Sequence, residues 1–193
     1  MRGVLLRGDR VVNFPSLLED GFRFAVLPAS AGVDRTVPRF VEQASAAYRA
    51  GLSVAVYHDL EAGCVTEALT EADHFLRTLA SLDFPPLFAI CRAEFPRPVR
   101  DSSLFACSTQ AFMGRIRGAG FRPMLYTTED CLKNLPFPPS CDLYLARWSV
   151  PEARALVRNP RIWEYGEGKA GDIPRTPLLR GYFSSLPDSG RDF

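Results

Sequence analysis

Apolar and polar positions along this chain follow two rhythms. Short apolar runs read as strands, and between them come stretches whose apolar residues recur every three to four positions, as on one face of a helix. Gly3–Leu6 is the first strand, Phe14–Leu18 a short helical turn before Gly21, and Phe22–Leu27 a second strand rich in β-formers. From Phe40 to Tyr48 apolar residues fall at 40, 41, 44, 47 and 48, and Gly51 stands where a helix C-cap belongs. Leu52–Tyr57 follows as a buried strand. Glu67–Leu82 repeats the helical pattern, with Leu69, Ala72, Phe75, Leu76 and Leu79 on one face, and Pro85 and Pro86 end it. Leu87–Cys91 is the fourth strand, and Phe105, Phe112 and Ile116 mark a helix stopped by Gly118 and Gly120. Pro123–Tyr126, Leu143–Arg147, Ile162–Tyr165 and Leu178–Phe183 complete eight strands.

Strands that alternate with helices pair in parallel, and eight of them suggest closure into a barrel. The later helices are short or missing. The expectation is therefore an α/β fold, an irregular TIM-like (β/α)8 barrel with short or missing helices in its second half. No repeat, linker or low-complexity tract interrupts it, so residues 1–183 read as one barrel domain and residues 184–193 as a loose tail.

Composition narrows the function classes. Of 193 residues, 47% are hydrophobic and 23% charged, which is ordinary for a globular domain with a sizeable core. A net charge of +1 gives no electrostatic case for nucleic acid or an anionic membrane surface. The five cysteines, Cys64, Cys91, Cys107, Cys131 and Cys141, are odd in number and irregularly spaced, without a CxxC pair. They predict neither a disulfide framework nor a zinc site, but free thiols in a reducing compartment. The opening MRGVLLRGDR holds a three-residue apolar run, too short for a signal-peptide core, and no apolar stretch approaches the ~20 residues of a membrane helix. The expected location is cytoplasmic, or outside after lysis.

The segments then fall into a recognisable order. Gly-Val-Leu-Leu-Arg at 3–7, the Phe22–Leu27 strand, and Ala50-Gly51-Leu52 leading into Val56-Tyr57-His58 come first. Glu71, Ala72 and Phe75 before Pro85-Pro86 follow, then Arg122 to Thr127, Asp142 to Trp148, and Trp163-Glu164-Tyr165-Gly166 ahead of the Gly171–Phe183 end. Together these resemble family 25 glycoside hydrolases, the muramidase type of lysozyme, over almost the whole chain. The resemblance implies a peptidoglycan-directed barrel with acids at its C-terminal mouth. Its acid positions, however, fall on Leu5, Ala89, Cys91 and Leu179, with Pro28 and Gly181 at two further departures. Glycoside hydrolysis needs a carboxyl group to protonate the leaving oxygen and a second carboxylate across the bond, and none of these side chains can serve.

Three carboxylates remain as replacements: Asp59 after Tyr57-His58, Glu94 beyond the fourth strand, and Glu164 beside Trp163. Each reads first as a polar rim or loop residue, and a relocated acid is the alternative. If Glu94 were the acid, Arg92 would occupy the neighbouring Asp position. His58 and Cys91 admit a thiol with its base, or simply two buried fillers. His74 reads as a solvated helix residue. Tyr57, Tyr126, Trp148, Trp163 and Tyr165 are placed near strand ends, where rings either stack on sugars or plug the barrel. Arg147 would bind an acidic sugar substituent or hold a loop carboxylate. No metal and no cofactor is expected.

The expectation for function is a degenerate lysozyme-like protein that binds a peptidoglycan-type glycan, or a protein partner, at groove residues Tyr57, His58, Tyr126, Arg147, Trp148, Trp163 and Tyr165. The alternatives are an active glycosidase with relocated carboxylates, or a structural or phage assembly protein with a vestigial groove. Oligomeric state is left open.

Overall fold

The computed structural model of the chain describes residues 1–8, 11–93, 102–134, 142–156 and 158–183. Glu94, Cys141 and the 184–193 tail therefore lie outside the described residues. The element order is β1 (Arg2–Leu5), α1 (Phe14–Glu19), β2 (Phe24–Ala31), β3 (Arg35–Thr36), α2 (Phe40–Arg49), β4 (Ser53–Asp59), α3 (Val65–Leu79) and β5 (Ala89–Arg92). It continues with α4 (Ser102–Gly118), β6 (Pro123–Thr128), α5 (Glu129–Asn134), β7 (Leu143–Ala146), α6 (Glu152–Ala155), β8 (Ile162–Ala170) and β9 (Ile173–Gly181).

Eight strands close into a barrel in the order β1-β9-β8-β7-β6-β5-β4-β2, with β2 returning to β1; the short β3 extends β2 outside the ring. The mixed α/β barrel matches the sequence expectation, and its helices shrink from 17 residues in α4 to six in α5 and four in α6. Parallel pairing does not extend to the last strand. β9 runs antiparallel to both β8 and β1. The cause is local: β8 and β9 are joined by a two-residue turn at Gly171-Asp172 rather than by a helix, and so tight a connection permits only a hairpin. Gly171 takes φ +58°, and a Cβ there would sit 3.1 Å from Ser16 Oγ. Its N–H donates to Asp20 Oδ2 at 2.8 Å, which ties the turn to the end of α1.

Strands β2 and β4 to β7 are buried on both faces, β8 and β9 carry exposed positions such as Glu167, Arg175 and Arg180, and the buried side chains sort into two cores. One contains Leu5, Phe24, Val26, Ala55, Tyr57, Phe88, Ile90, Met124, Tyr126, Tyr144, Ile162 and Leu179. It draws on all eight ring strands and on no helix, so it fills the barrel. The other joins the alternate strand positions, among them Ala25, Leu27, Val54, Val56, Ala89, Cys91 and Leu125, to Phe40, Phe75 and Phe112 of the helices. Strand pleating makes the assignment strict: neighbours in sequence face opposite cores. β1 threads closely through this packing. Gly3 lies against the Phe24 ring, where any Cβ would collide. Among the described residues no helix is long and apolar enough to cross a membrane.

Candidate functional site

The parallel strands deliver their C-terminal ends to one mouth, the place where barrels of this kind carry function. Alternation decides which side chains arrive there. On β4, Tyr57 faces in and Asp59 follows it; on β5, Ile90 faces in and Arg92 follows. Arg92 Nη1 donates to Asp59 Oδ1 at 2.7 Å, and its guanidinium carbon lies 5.6 Å from the Tyr57 ring and 5.3 Å from the Tyr126 ring. Each such cation–ring contact contributes about 0.5–2 kcal/mol, more as water is excluded. Tyr126 meets Tyr144 edge to face at 4.8 Å.

Glu164 enters the same space from β8 and is only 1% exposed. The Tyr144 hydroxyl donates to its Oε2 at 2.7 Å, the Trp148 indole N–H to its Oε1 at 3.0 Å, and Arg7 Nη2 lies 3.9 Å from Oε1. Burial pushes the Glu164 carboxyl above its usual range, against the opposing pull of Tyr144, Trp148, Arg7 and Arg92. Burial likewise raises the phenols of Tyr57 and Tyr144, which stay neutral, and the Tyr144 hydroxyl serves as a hydrogen-bond donor to Glu164. Trp148 remains 43% exposed at the rim. Leu5 and Leu179 lie inside the barrel, and Leu179 pairs directly with Glu164 in the β8–β9 ladder.

Several expected groove residues stand elsewhere. His58 faces the helix layer: Ser30 Oγ meets its Nδ1 at 2.8 Å and Glu71 Oε2 its Nε2 at 2.9 Å, and the ring packs on Phe75 and Phe112. Its place on β4 between the inward Tyr57 and Asp59 sends it outward. Cys91 is its register neighbour on β5 and is equally buried, but both His58 nitrogens are engaged, so no base is available to the thiol. His74, expected in solvent, is buried beside this cluster, and its Nε2 has no hydrogen-bond partner. Trp163 alternates with the inward Ile162 and Glu164. Its indole N–H donates to the Arg147 carbonyl at 2.8 Å and its ring meets Tyr165, so both rings lie on the outer face of β8. Arg147 holds Glu129 at 2.9 Å and the Arg154 carbonyl at 2.7 Å, clamping α5 to α6. Among the described residues no group of three or more His, Cys, Asp or Glu side chains could hold a metal ion.

The chain matches the model of glycosyl hydrolases family 25 over residues 7–172. The chain belongs to glycosyl hydrolase family 25. By sequence search no curated protein matches it. The fold is similar to that of a family 25 glycosyl hydrolase from Bacillus anthracis, with a TM-score of 0.79 at 18% identity, covering 96% of this chain and 90% of that one. The Clostridium perfringens spore cortex lytic enzyme SleM also gives 0.79, at 22% identity, covering 93% and 66%. The modular autolysin LytC from Streptococcus pneumoniae, solved with a synthetic peptidoglycan ligand, gives 0.75 at 12% identity, covering 92% and 46%. The chain thus spans about two thirds of SleM and less than half of LytC.

Against that family pattern, strand alternation corrects one assignment. Ala89 and Cys91 do not line the mouth; they pack in the helix-facing core. The inward residues of β5 are Ile90 and Arg92, and Glu94 lies outside the described residues. Counting from Pro85-Pro86 missed the parity of the strand. The signal was present, because bulky Phe88 and Ile90 alternate with small Ala89 and Cys91, and small residues suit the close approach of α3 and α4. Arg7, Arg92 and Tyr144 were missed for a different reason: no single spacing links them, and only barrel closure brings them to Glu164.

Proposed function

We propose that this family 25 chain is a catalytically degenerate member that binds a peptidoglycan-type glycan at its barrel mouth. One observation carries the reading: the buried carboxylate at the mouth, Glu164, has both oxygens engaged by Tyr144 and Trp148. An acid so bound has no proton aimed at a leaving oxygen, and Leu5, Ile90 and Leu179 beside it supply no opposing carboxylate. The second carboxylate, Asp59, is held by Arg92. What remains is a surface suited to sugars, with an exposed indole at the rim for stacking and charged groups beneath it for hydroxyls. The peptidoglycan ligand found on LytC supports that ligand class.

A second reading, an active glycosidase with relocated acids, is favoured by the raised proton affinity of Glu164, since a general acid must hold its proton near working pH. Two assays separate the readings. Purified cell walls should stay turbid with the wild type while the protein co-sediments with them, and Trp148→Ala should reduce co-sedimentation. Robust clearing abolished by Glu164→Gln, Glu94→Gln or Asp59→Asn would establish the glycosidase instead. No clearing together with no co-sedimentation would leave a scaffold or protein-binding role.

A further inference from the structure

Trp148 stands one residue beyond a firmly pinned point on the rim of the mouth. Arg147 is fixed from both sides: its backbone N–H donates to the Glu164 carbonyl at 3.0 Å, and its own carbonyl accepts the Trp163 indole N–H at 2.8 Å. Past it the chain has left β7 and enters no helix until Glu152. Ser149 takes φ +57°, a left-handed backbone that a non-glycine residue keeps only where its surroundings hold it. The local chain therefore does not by itself fix the direction of the Trp148 ring.

A buried carboxyl from another strand does. The Trp148 indole N–H donates to Glu164 Oε1 at 3.0 Å, while the Tyr144 hydroxyl takes Oε2 at 2.7 Å. Tyr144 and Glu164 are each 1% exposed, so this base is packed in place. The two donors differ in kind. An indole N–H can only donate, whereas a phenol hydroxyl donates or accepts. Tyr144 can therefore turn its hydroxyl when Glu164 gains a proton, and Oε1 stays an acceptor for Trp148. The N–H edge of the indole is turned toward the barrel, and the side chain remains 43% exposed at the rim.

We propose that Glu164 is a positioning residue of the mouth: it presets the Trp148 ring for stacking on a sugar and does not itself touch the ligand. This role rests on the glycan reading of the mouth, and it gives the buried acid a use other than proton transfer. A side chain that is free in the unbound protein must be ordered when the ligand arrives, at a cost in affinity, and one already held avoids that cost. A residue acting in this way leaves a signature. Its removal weakens binding only while Trp148 is present.

The test uses 15N-labelled protein and a soluble peptidoglycan tetrasaccharide. Without ligand, Glu164→Ala should move the Trp148 indole N–H resonance and speed its exchange with solvent. The Trp163 indole resonance, held by the Arg147 carbonyl, should stay in place. With ligand, Glu164→Ala should bind roughly two- to tenfold more weakly, the loss that ordering one free side chain entails. Glu164→Gln keeps an acceptor for the indole and should recover most of that affinity. In a Trp148→Ala background, Glu164→Ala should bring no further weakening. An unmoved Trp148 resonance, no recovery with Gln, or equal losses with and without Trp148 would each overturn the role. A Trp163 resonance that moves as well would make Glu164 a general support of the barrel, which also overturns it. If the wild type binds the tetrasaccharide and Glu164→Ala binds equally well, this role alone falls. If the wild type does not bind, the glycan reading of the mouth falls and takes the role with it.

Discussion

Glu164 carries a consequence that pH can read. Burial raises its pKa above the ordinary 4.5, so just above that value the folded chain holds a proton that the unfolded chain has lost. A raised carboxyl contributes stability that is present at lower pH and is lost as pH rises through its folded value. Urea midpoints measured from pH 4 upwards should therefore fall away in the wild type relative to Glu164→Gln, which does not titrate. Parallel profiles for the two proteins would refute the buried, proton-retaining Glu164. The outward His58 is a different case, since its partner Glu71 also accepts the Glu61 backbone N–H at 3.0 Å. Glu71→Ala strands both donors in a dry layer and should cost about 3–5 kcal/mol in denaturant unfolding. Glu71→Gln keeps an acceptor and should cost clearly less; equal losses would mean that packing, not the polar network, sets the effect. These two residues show what the sequence could tell at this scale. Residue types near strand ends were readable, but the face of each was not, because one step along a strand reverses the direction of every side chain. Tyr57 and Asp59 stand at the mouth, while His58 between them does not.

Among the elements, the first six ring strands and the three long helices were legible because their apolar periods are clean. The β8–β9 hairpin was not. Its ladder breaks register between Glu164 and Gly166 and again between Gly168 and Ala170, and the run from Gly166 to Pro177 carries glycine and proline at positions that read as loop. The sequence therefore shortened both strands and left β9 to pair in parallel. Because this hairpin closes the barrel onto β1 and is pinned to α1 through Asp20, its turn should be sensitive. Gly171→Ala must accept both φ +58° and the approach to Ser16, and should cost about 1–2 kcal/mol in thermal or urea unfolding. An unchanged midpoint would show that the turn relaxes freely and that the hairpin is not pinned there.

For the whole molecule, barrel closure and chemistry compete for the same interior. The family's acids cannot be restored simply by writing them back at Leu5, Ala89, Cys91 and Leu179. Leu5 and Leu179 are packed inside the barrel, and a carboxylate at Leu179 would stand beside the already buried Glu164. Unpaired buried charge costs several kcal/mol, or the group stays protonated. Ala89→Asp and Cys91→Glu would aim their carboxylates at Phe75 and Phe112, on the far side of the strand from the mouth. The combined variant should fail to fold cooperatively, with no gain in cell-wall hydrolysis. Arg92→Asp is the better-placed change. It puts a carboxylate on the inward face of β5, two positions before Glu94, the spacing of the family's acid pair. It forfeits the Asp59 ion pair and the two ring contacts of Arg92, so a lower thermal midpoint with a single transition is expected. Hydrolysis should be weak at most, since the groups that would orient the new acid are absent. If Ala89→Asp with Cys91→Glu folds and clears cell walls while Arg92→Asp does neither, the facing assigned to β5 is wrong.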